Sequence, residues 1–476
     1  MKNHHKLKLR ILVSSLSLIV FTILLSLLVY QTTHKSSADK ASAFPIRLYL
    51  ENPETASFDK TDTTETDSSE NPETASDSIV ETTIPTEQDT STTQNIPESS
   101  AQEVQTSENK TEPASVETHT TNPAISQEPP TPAVPADTPN PSPSNSPQAI
   151  LEQMSLEEKV GQMFIARCPE AHAAQLAADY HLGGYILFAR DFQNKTREQV
   201  IQDIRSYQTA ASIPMLIGVD EEGGVVNRIS KYPQFRSQPF QSPQELFSAG
   251  GLALIQSDTI EKCQLLHELG LNLNFAPVCD VSENPNDFIY RRTLGRNASE
   301  TASYVKTVVS TMKQQKMGCV LKHFPGYGNN TDTHTGIAYD NRPYDTFISS
   351  DFLPFQAGIN NGADIVMVSH NIVNCMDSQA PSSLSLRVHE ILRNDLGFSG
   401  VIITDELSMN GVLDYADDTS IAIMAIQAGN DLLCCTNFDI QIPAVLNAVY
   451  QGVISEARIN ESVLRILQMK RSLGIL

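Results

Sequence analysis

Residues 318–328 read GCVLKHFPGYG, and this short stretch contains the pattern on which the fold prediction depends. An apolar run ends in Lys322 and His323, and a turn at Pro325 and Gly326 follows soon after. A short apolar run bounded by turn residues is typical of a buried β-strand. The polar pair that ends the run is placed where such a strand would meet solvent or a ligand.

Seven further apolar runs of this kind occur in the second part of the chain. The eight predicted strands are Gly161–Arg167, Gly184–Phe188, Met215–Asp220, Leu273–Asp280, Gly318–His323, Asp364–His370, Gly400–Asp405 and Asn430–Cys435. The predicted helices between them include Thr196–Ala211, Ser299–Lys316, Asp351–Asn361 and Ser385–Leu396. Apolar strands that alternate with helices predict an α/β protein with a parallel sheet. The number of strands, eight, favours a closed (β/α)8 TIM barrel over an open doubly wound sheet. No Gly-x-Gly-x-x-Gly follows the first strand, which argues against a dinucleotide-binding fold.

Several of the predicted strands end in ionisable residues. These residues are Asp220, Asp280, the pair Lys322 and His323, His370 and Asp405. In a TIM barrel the carboxyl ends of the strands form the active-site face. One charged residue at such a place is a common loop cap, but five strand ends of this kind indicate an active site.

The motifs of this region resemble those of glycoside hydrolase family 3, in its single-domain β-N-acetylglucosaminidase (β-N-acetylhexosaminidase) branch. The motifs are Leu156–Gln162 (LEEKVGQ), Gly183–Phe188 (GGYILF), Val219–Gly224 (VDEEGG), Lys322–Gly326 (KHFPG), Asp332–His334 (DTH) and Thr404–Met409 (TDELSM). Their order and spacing imply a catalytic barrel at 148–476, and the first 147 residues lie outside the resemblance.

The resemblance implies a retaining glycosidase in which Asp405 is the nucleophile, His334 the general acid/base and Asp332 the residue that orients His334. A carboxylate can attack an anomeric carbon, and a histidine titrates near neutrality. This pair differs from the two carboxylates that are usual in glycosidases. The implied reaction removes terminal β-linked N-acetylglucosamine through a covalent glycosyl-aspartate, with no metal or organic cofactor.

The resemblance assigns sugar binding to Asp220, Arg228, Arg292, Lys322 and His323. Relatives read Asp-Arg-Ser-Phe where this chain has RRTL at 291–294, so Arg291 is the alternative to Arg292. The chain also has Tyr327 and Asn329 where His-Phe-Pro-Gly-His-Gly-Asp is common, and its loop to the Asp-x-His pair is one residue shorter. Both departures change the loop that must deliver the general acid.

Three alternatives remain open at the level of sequence. The first is a glycosyl phosphorylase on the same scaffold. The second is a metal-dependent barrel hydrolase using His323, His334, His370 and Asp405, although the chain lacks the His-x-His pair that this class usually draws from an early strand. The third is a catalytically inactive glycan-binding module displayed on a tether.

The N-terminal region predicts a membrane anchor. Residues 11–30 form an apolar run long enough to cross a bilayer as a helix, and Lys2, Lys6, Lys8 and Arg10 precede it. This charge bias places residues 1–10 in the cytoplasm and the barrel outside the membrane. The alternative is a signal peptide cleaved near Ala41–Ala43, which would leave a secreted protein.

Residues 31–147 are rich in Thr, Ser, Pro and Glu and predict a disordered linker. The segment ENPETAS occurs at 51–57 and again at 70–76, and residues 36–150 contain 20 acidic but only 4 basic residues. Such a segment buries too little apolar surface to offset the entropy of ordering it.

The whole chain has a formal net charge of −23, which argues against binding to nucleic acid. The N-terminal apolar run predicts the membrane as a partner, and the family resemblance implies a carbohydrate substrate. An extracytoplasmic position favours cell-wall glycan fragments or chitooligosaccharides as substrates. The seven cysteines lie between Cys168 and Cys435 without metal-knuckle spacing, so a zinc ribbon or a dense disulfide framework is not expected.

Overall fold

The computed structural model describes residues 146–330, 333 and 336–476. Strands β1 to β12 are Phe164–Arg167, Gly184–Leu187, Leu216–Val219, Glu221–Gly223, Val226–Asn227, Leu273–Asn274, Gly318–Phe324, Tyr339–Asp340, Ile365–Val368, Ile372–Val373, Val401–Thr404 and Leu433–Cys435. Helices α1 to α14 are Pro147–Gln153, Leu156–Gln162, Ala173–Asp179, Ala189–Phe192, Arg197–Ala210, Pro243–Leu269, Ala298–Gln314, Tyr344–Thr346, Phe352–Asn360, Leu386–Glu390, Asn410–Leu413, Asp418–Ala428, Phe438–Tyr450 and Glu456–Ser472. Two π-helical segments, Phe347–Asp351 and Ile391–Asp395, continue α8 and α10.

Eight of these strands form one sheet in the order β11-β9-β7-β6-β3-β2-β1-β12, and every pairing in it is parallel. A parallel bridge between Ile403 and Leu432 joins the two end strands, so the sheet closes on itself. Helices follow the strands along the chain, and the architecture is a (β/α)8 barrel. Each of the eight predicted strands overlaps one strand of this barrel.

The predicted strand bounds differ from the observed ones by up to several residues, and two of the differences have a clear physical cause. Helix α2 runs through Gln162, so β1 begins at Phe164 and not at the predicted Gly161. The predicted strand Leu273–Asp280 pairs continuously only as far as Asn274. Proline has no N–H with which to continue the ladder, and Pro277 interrupts it there.

Strands β2, β3, β7, β9 and β11 are buried at every residue, since one face of each lines the barrel interior and the other is covered by helices. One strand carries a glycine because a neighbouring ring needs the space. A Cβ on Gly218 in β3 would lie 2.5 Å from the ring of Phe275, which is itself fully buried. The glycine therefore lets an aromatic ring fill the barrel core.

The predicted membrane helix at 11–30 and nearly all of the predicted linker at 31–147 lie outside the described residues. Among the residues that are described, no helix is both long and apolar enough to span a bilayer. The first described helix, α1, begins at Pro147 and is capped by the side chain of Ser146. All seven cysteines are free thiols, and Cys375 is the exposed one.

The last helix of the barrel buries a lysine with an uncharged partner. Lys470 in α14 is fully buried, and its Nζ donates to Gln162 Oε1 at 2.7 Å. Burial lowers the pKa of Lys470 to about 7. In an unfolded chain a lysine keeps its proton to about pH 10. Between about pH 7 and pH 10, therefore, Lys470 is charged in the unfolded chain and neutral in the folded protein.

Replacing Lys470 by methionine is expected to raise the free energy of unfolding by roughly 4 kcal/mol at pH 6. Between about pH 7 and pH 10 the unfolded wild-type chain binds more protons than the folded one, so its stability rises with pH and the difference shrinks. Urea denaturation of both proteins from pH 6 to pH 10 measures this change. As a control, Lys159→Met removes an ammonium 3.0 Å from the exposed Glu456 and should change stability by less than about 1 kcal/mol. A Lys470→Met difference that stays constant with pH would contradict the prediction.

Candidate active site

The predicted site residues that are described lie at the carboxyl ends of the barrel strands. Asp220 follows β3 directly, Lys322 and His323 lie near the end of β7, and Asp405 follows β11. Lys322 is buried, and its Nζ lies 2.7 Å from Asp220 Oδ1. The pairing register of β7 shifts between Leu321 and Phe324. This irregularity interrupts the strict alternation of faces, so the adjacent Lys322 and His323 both reach the site.

A buried carboxylate that the sequence analysis left without a role holds this cluster together. Glu222 Oε1 lies 2.6 Å from Lys322 Nζ, and both Glu222 oxygens accept hydrogen bonds from Arg292 at 3.0 and 2.8 Å. Burial alone would raise the pKa of Glu222, but Arg292 and Lys322 hold it well below its usual range. The signal in the sequence was the run of three acids Asp220, Glu221 and Glu222, of which only the first was assigned.

Arg292, and not Arg291, belongs to the cluster. Besides its two bonds to Glu222, Arg292 contacts His323 Nε2 at 3.2 Å, whereas Arg291 is exposed. A guanidinium only donates, so this contact requires a lone pair on Nε2 and leaves the ring proton on Nδ1. That nitrogen faces Asp280 Oδ2 at 2.8 Å. Asp280 thus orients His323, a role that its place at a strand end did not reveal.

Arg228 lies in a turn that another buried acid organises. Glu221 accepts the backbone N–H groups of Arg228, Ile229 and Ser230. The Arg228 guanidinium lies 5.7 Å from the centre of the Phe188 ring. Within the described part of the chain, Arg228 Nε is buried and has no hydrogen-bond partner. The arginine therefore offers a buried donor, which would be costly to leave unsatisfied.

Asp405 is half-buried at the end of β11, and its Oδ1 accepts the N–H of Glu406 at 2.9 Å. Burial raises the pKa of Tyr327, and the charge of Asp405 raises it further. Burial also raises the pKa of Cys434 in β12, and nearby charges that include Asp405 and Asp220 add to this effect. The predicted nucleophile thus lies close enough to both side chains for its charge to be felt at this end of the barrel.

His370 supports the segment that follows Asp405. Its Nδ1 lies 2.7 Å from Ser383 Oγ, and its Nε2 lies 2.9 Å from the carbonyl oxygen of Glu406. A carbonyl oxygen only accepts, so Nε2 carries the proton in this contact. The histidine therefore ties the end of β9 to the chain just beyond the predicted nucleophile.

The predicted general acid/base His334 and its partner Asp332 lie outside the described residues. Thr333, which separates them in the sequence, is described and is fully buried. Six of the eight predicted site residues are described. Contacts join four of them, Asp220, Lys322, Arg292 and His323. Arg228 lies in the turn organised by Glu221, and Asp405 follows β11.

The closed parallel barrel, with acids and bases gathered at the carboxyl ends of its strands, has the architecture of a (β/α)8 barrel enzyme. The profile of the glycosyl hydrolase family 3 N terminal domain matches residues 155–469. The chain therefore belongs to glycosyl hydrolase family 3, and it is a glycoside hydrolase.

Individual relatives agree with this placement. A beta-hexosaminidase of Xanthomonas campestris pv. campestris (strain B100) is 34% identical over 232 residues, which are 48% of this chain and 69% of the relative. Beta-hexosaminidase LpqI of Mycobacterium tuberculosis (strain ATCC 25618 / H37Rv) is 27% identical over 352 residues, 71% of this chain and 89% of the relative. The solved structure of a family 3 β-N-acetylglucosaminidase from Paenibacillus sp. str. FPU-7 superposes with a TM-score of 0.63 at 29% identity. That match covers 68% of this chain and 63% of the Paenibacillus chain.

Proposed function

We propose that this protein is an exo-acting, retaining β-N-acetylhexosaminidase that removes terminal β-linked N-acetylglucosamine. The observation that carries the proposal is the ion-paired cluster of Asp220, Lys322, Glu222 and Arg292 at the same end of the barrel as the half-exposed carboxylate of Asp405. The names of the relatives from Xanthomonas and Mycobacterium support the same reaction.

In the proposed reaction the Asp405 carboxylate attacks the anomeric carbon while the bond to the leaving oxygen breaks. His334 donates its proton to that oxygen, and Asp332 orients the imidazole. The neutral imidazole then takes a proton from water, which attacks the anomeric carbon and releases Asp405. Each displacement inverts the configuration of the anomeric carbon, so the two together retain the β-configuration.

The sugar is proposed to be held by Asp220, Arg228, Arg292, Lys322 and His323. Ionised side chains make stronger hydrogen bonds to hydroxyl groups than neutral ones do. The Lys322 ammonium and the Asp220 carboxylate supply a donor and an acceptor side by side. The buried Nε of Arg228 is a further donor, and it has no acceptor among the described atoms. A bound hydroxyl or carbonyl oxygen would satisfy it.

The protein is further proposed to act outside the cytoplasmic membrane, anchored by residues 11–30 and extended from it by the linker at 31–147. The apolar run, the preceding basic residues and the acidic, Pro-rich composition support this arrangement. Cell-wall glycan fragments and chitooligosaccharides are then the substrates within reach.

A panel of aryl β-glycosides of N-acetylglucosamine, N-acetylgalactosamine, glucose and xylose tests the proposed specificity. The full-length protein is expected to cleave the N-acetylglucosaminide about 10-fold or more faster than the glucoside and the xyloside. Added phosphate is expected to leave the rate and the sugar product unchanged. Formation of a sugar phosphate would show a phosphorylase instead. The same assay is expected to find the activity in the membrane fraction of expressing cells, whereas soluble activity in the medium would indicate a cleaved signal peptide.

A further inference from the structure

Tyr327 lies immediately after the turn that ends β7, and both of its ends are fixed. Its N–H donates to Asp280 Oδ1 at 2.8 Å, and its ring packs edge-on against His323 with centroids 5.1 Å apart. At the other end, the phenol oxygen lies 2.6 Å from Thr333 Oγ1. Tyr327 and Thr333 are both buried. A rigid side chain thus connects the residue that orients His323 to Thr333.

Thr333 is also fixed to the segment beyond the proposed nucleophile. Its carbonyl oxygen accepts the N–H of Gly411 in α11 at 3.0 Å. A Cβ at Gly411 would lie 2.8 Å from that carbonyl oxygen, so glycine is required for this close approach. Thr333 therefore joins two of the loops at the mouth of the barrel, those that follow β7 and β11.

We infer that Tyr327 is a positioning residue for general acid catalysis in this enzyme, acting through Thr333. The inference rests on the proposed function, in which His334 protonates the leaving oxygen. Thr333 immediately precedes His334 in the chain, and consecutive Cα atoms are about 3.8 Å apart. The inference is that a fixed Thr333 helps to position the general acid.

The magnitude expected from this anchor follows from how steeply proton transfer depends on geometry. A misplacement of about 1 Å costs a catalytic step roughly 100-fold, and a positioned general acid contributes roughly 10²- to 10⁴-fold. The penalty applies only where the leaving group needs a proton. An acidic phenol leaves as its anion, so its departure is nearly independent of the general acid.

The test compares kcat/KM of the full-length wild type and Tyr327→Phe on two aryl β-N-acetylglucosaminides, with phenol and with 2,4-dinitrophenol as leaving groups. For the phenyl substrate the variant is expected to lose about one to two orders of magnitude. For the dinitrophenyl substrate it is expected to stay within about 3-fold of the wild type, because little proton transfer is required. The ratio of the two rates is thus the readout that distinguishes positioning of the acid from general damage.

Two further variants separate positioning from loss of stability. Thr333→Val removes the other partner of the same hydrogen bond and is expected to change the ratio in the same way. Tyr185→Phe removes a buried phenol hydroxyl that donates to the Ala173 carbonyl oxygen at 2.7 Å. This control is expected to cost a comparable amount of stability, about 1 kcal/mol, and to leave the ratio unchanged. Thermal unfolding of all four proteins establishes that each is folded at the assay temperature.

Equal losses on both substrates in Tyr327→Phe, or no loss on the phenyl substrate, would overturn the inference while leaving the proposed function intact. A wild type that cleaves neither substrate would overturn the proposed function, and the inference with it. A steeper dependence on the leaving group in both Tyr327→Phe and Thr333→Val, but not in Tyr185→Phe, is the result that supports the inference.

Discussion

Replacing Asp405 by asparagine is expected to reduce kcat/KM for an aryl β-N-acetylglucosaminide by about four orders of magnitude. The change keeps the size of the side chain and an oxygen that can accept the Glu406 N–H. An amide, however, cannot replace the carboxylate as a nucleophile toward the anomeric carbon. The initial rate of phenol release, measured at substrate concentrations below KM, gives kcat/KM for each protein and hence the loss. Asp405→Ala is expected to show a loss of similar size.

The control for this prediction is Asp414→Asn, a change at an exposed acid in the same segment, which should alter kcat/KM by no more than about 2-fold. With a fluorinated aryl glycoside that slows the second step, the phenol leaves and the fluorinated glycosyl group is expected to add its mass to the wild-type peptide containing Asp405. The Asp405→Asn protein should remain unlabelled. A folded Asp405→Ala protein that released the phenol at the wild-type rate would show that another group is the nucleophile.

The second large effect is expected from Glu222→Gln. Removing this charge leaves the Arg292 guanidinium without its carboxylate and leaves Lys322 with Asp220 alone. Neutralising one partner of a buried ion pair leaves the other charge uncompensated, which should lower the free energy of unfolding by about 3 kcal/mol. The two cations also lose the group that fixes their positions, so kcat/KM is expected to fall by roughly 100-fold. Urea denaturation and steady-state kinetics below the unfolding temperature measure the two effects separately.

Asp431→Asn is the matched control for Glu222→Gln. Asp431 is equally buried, and its carboxylate lies 2.5 Å from Arg393 and 3.0 Å from Arg465. It precedes β12, however, at the opposite end of the barrel from the site. The control is expected to lose similar stability and to keep its kcat/KM while folded. If Glu222→Gln lost stability alone, the role of Glu222 in arranging the site would be wrong.

The fold was predictable because its signal is repeated. Eight apolar runs separated by helical stretches restrict the choice to very few architectures, and all eight runs became strands of the barrel. The errors arose where backbone chemistry overrides apolar composition. Pro277 cuts short a run that reads as one long strand, and a capped helix extends to Gln162 into a run assigned to β1.

The site was predictable only in part, because pairing between distant segments leaves no mark in a single sequence. Glu222 is separated from Lys322 by a hundred residues, and nothing in the run Asp220–Glu222 tells which acid faces the cations. Likewise, alternation along β7 would place Lys322 and His323 on opposite faces, and the register shift that brings both to the site is a property of the assembled sheet. The resemblance to a family supplied Asp405, His334 and Asp332, whose roles remain predictions.

The pairing of charges around Glu222 has a further consequence for recognition. The two acids of this cluster, Asp220 and Glu222, face two cations, Lys322 and Arg292, so the formal charges of these four residues sum to zero. An uncharged pyranose that enters the site therefore replaces its hydrogen bonds to water by hydrogen bonds to fixed polar groups of the protein. It displaces no counter-ion. The chain as a whole carries a large negative charge, yet a neutral ring is neither drawn in nor repelled by it. Selection among sugars then depends on contacts made after arrival, and hardly at all on attraction from a distance.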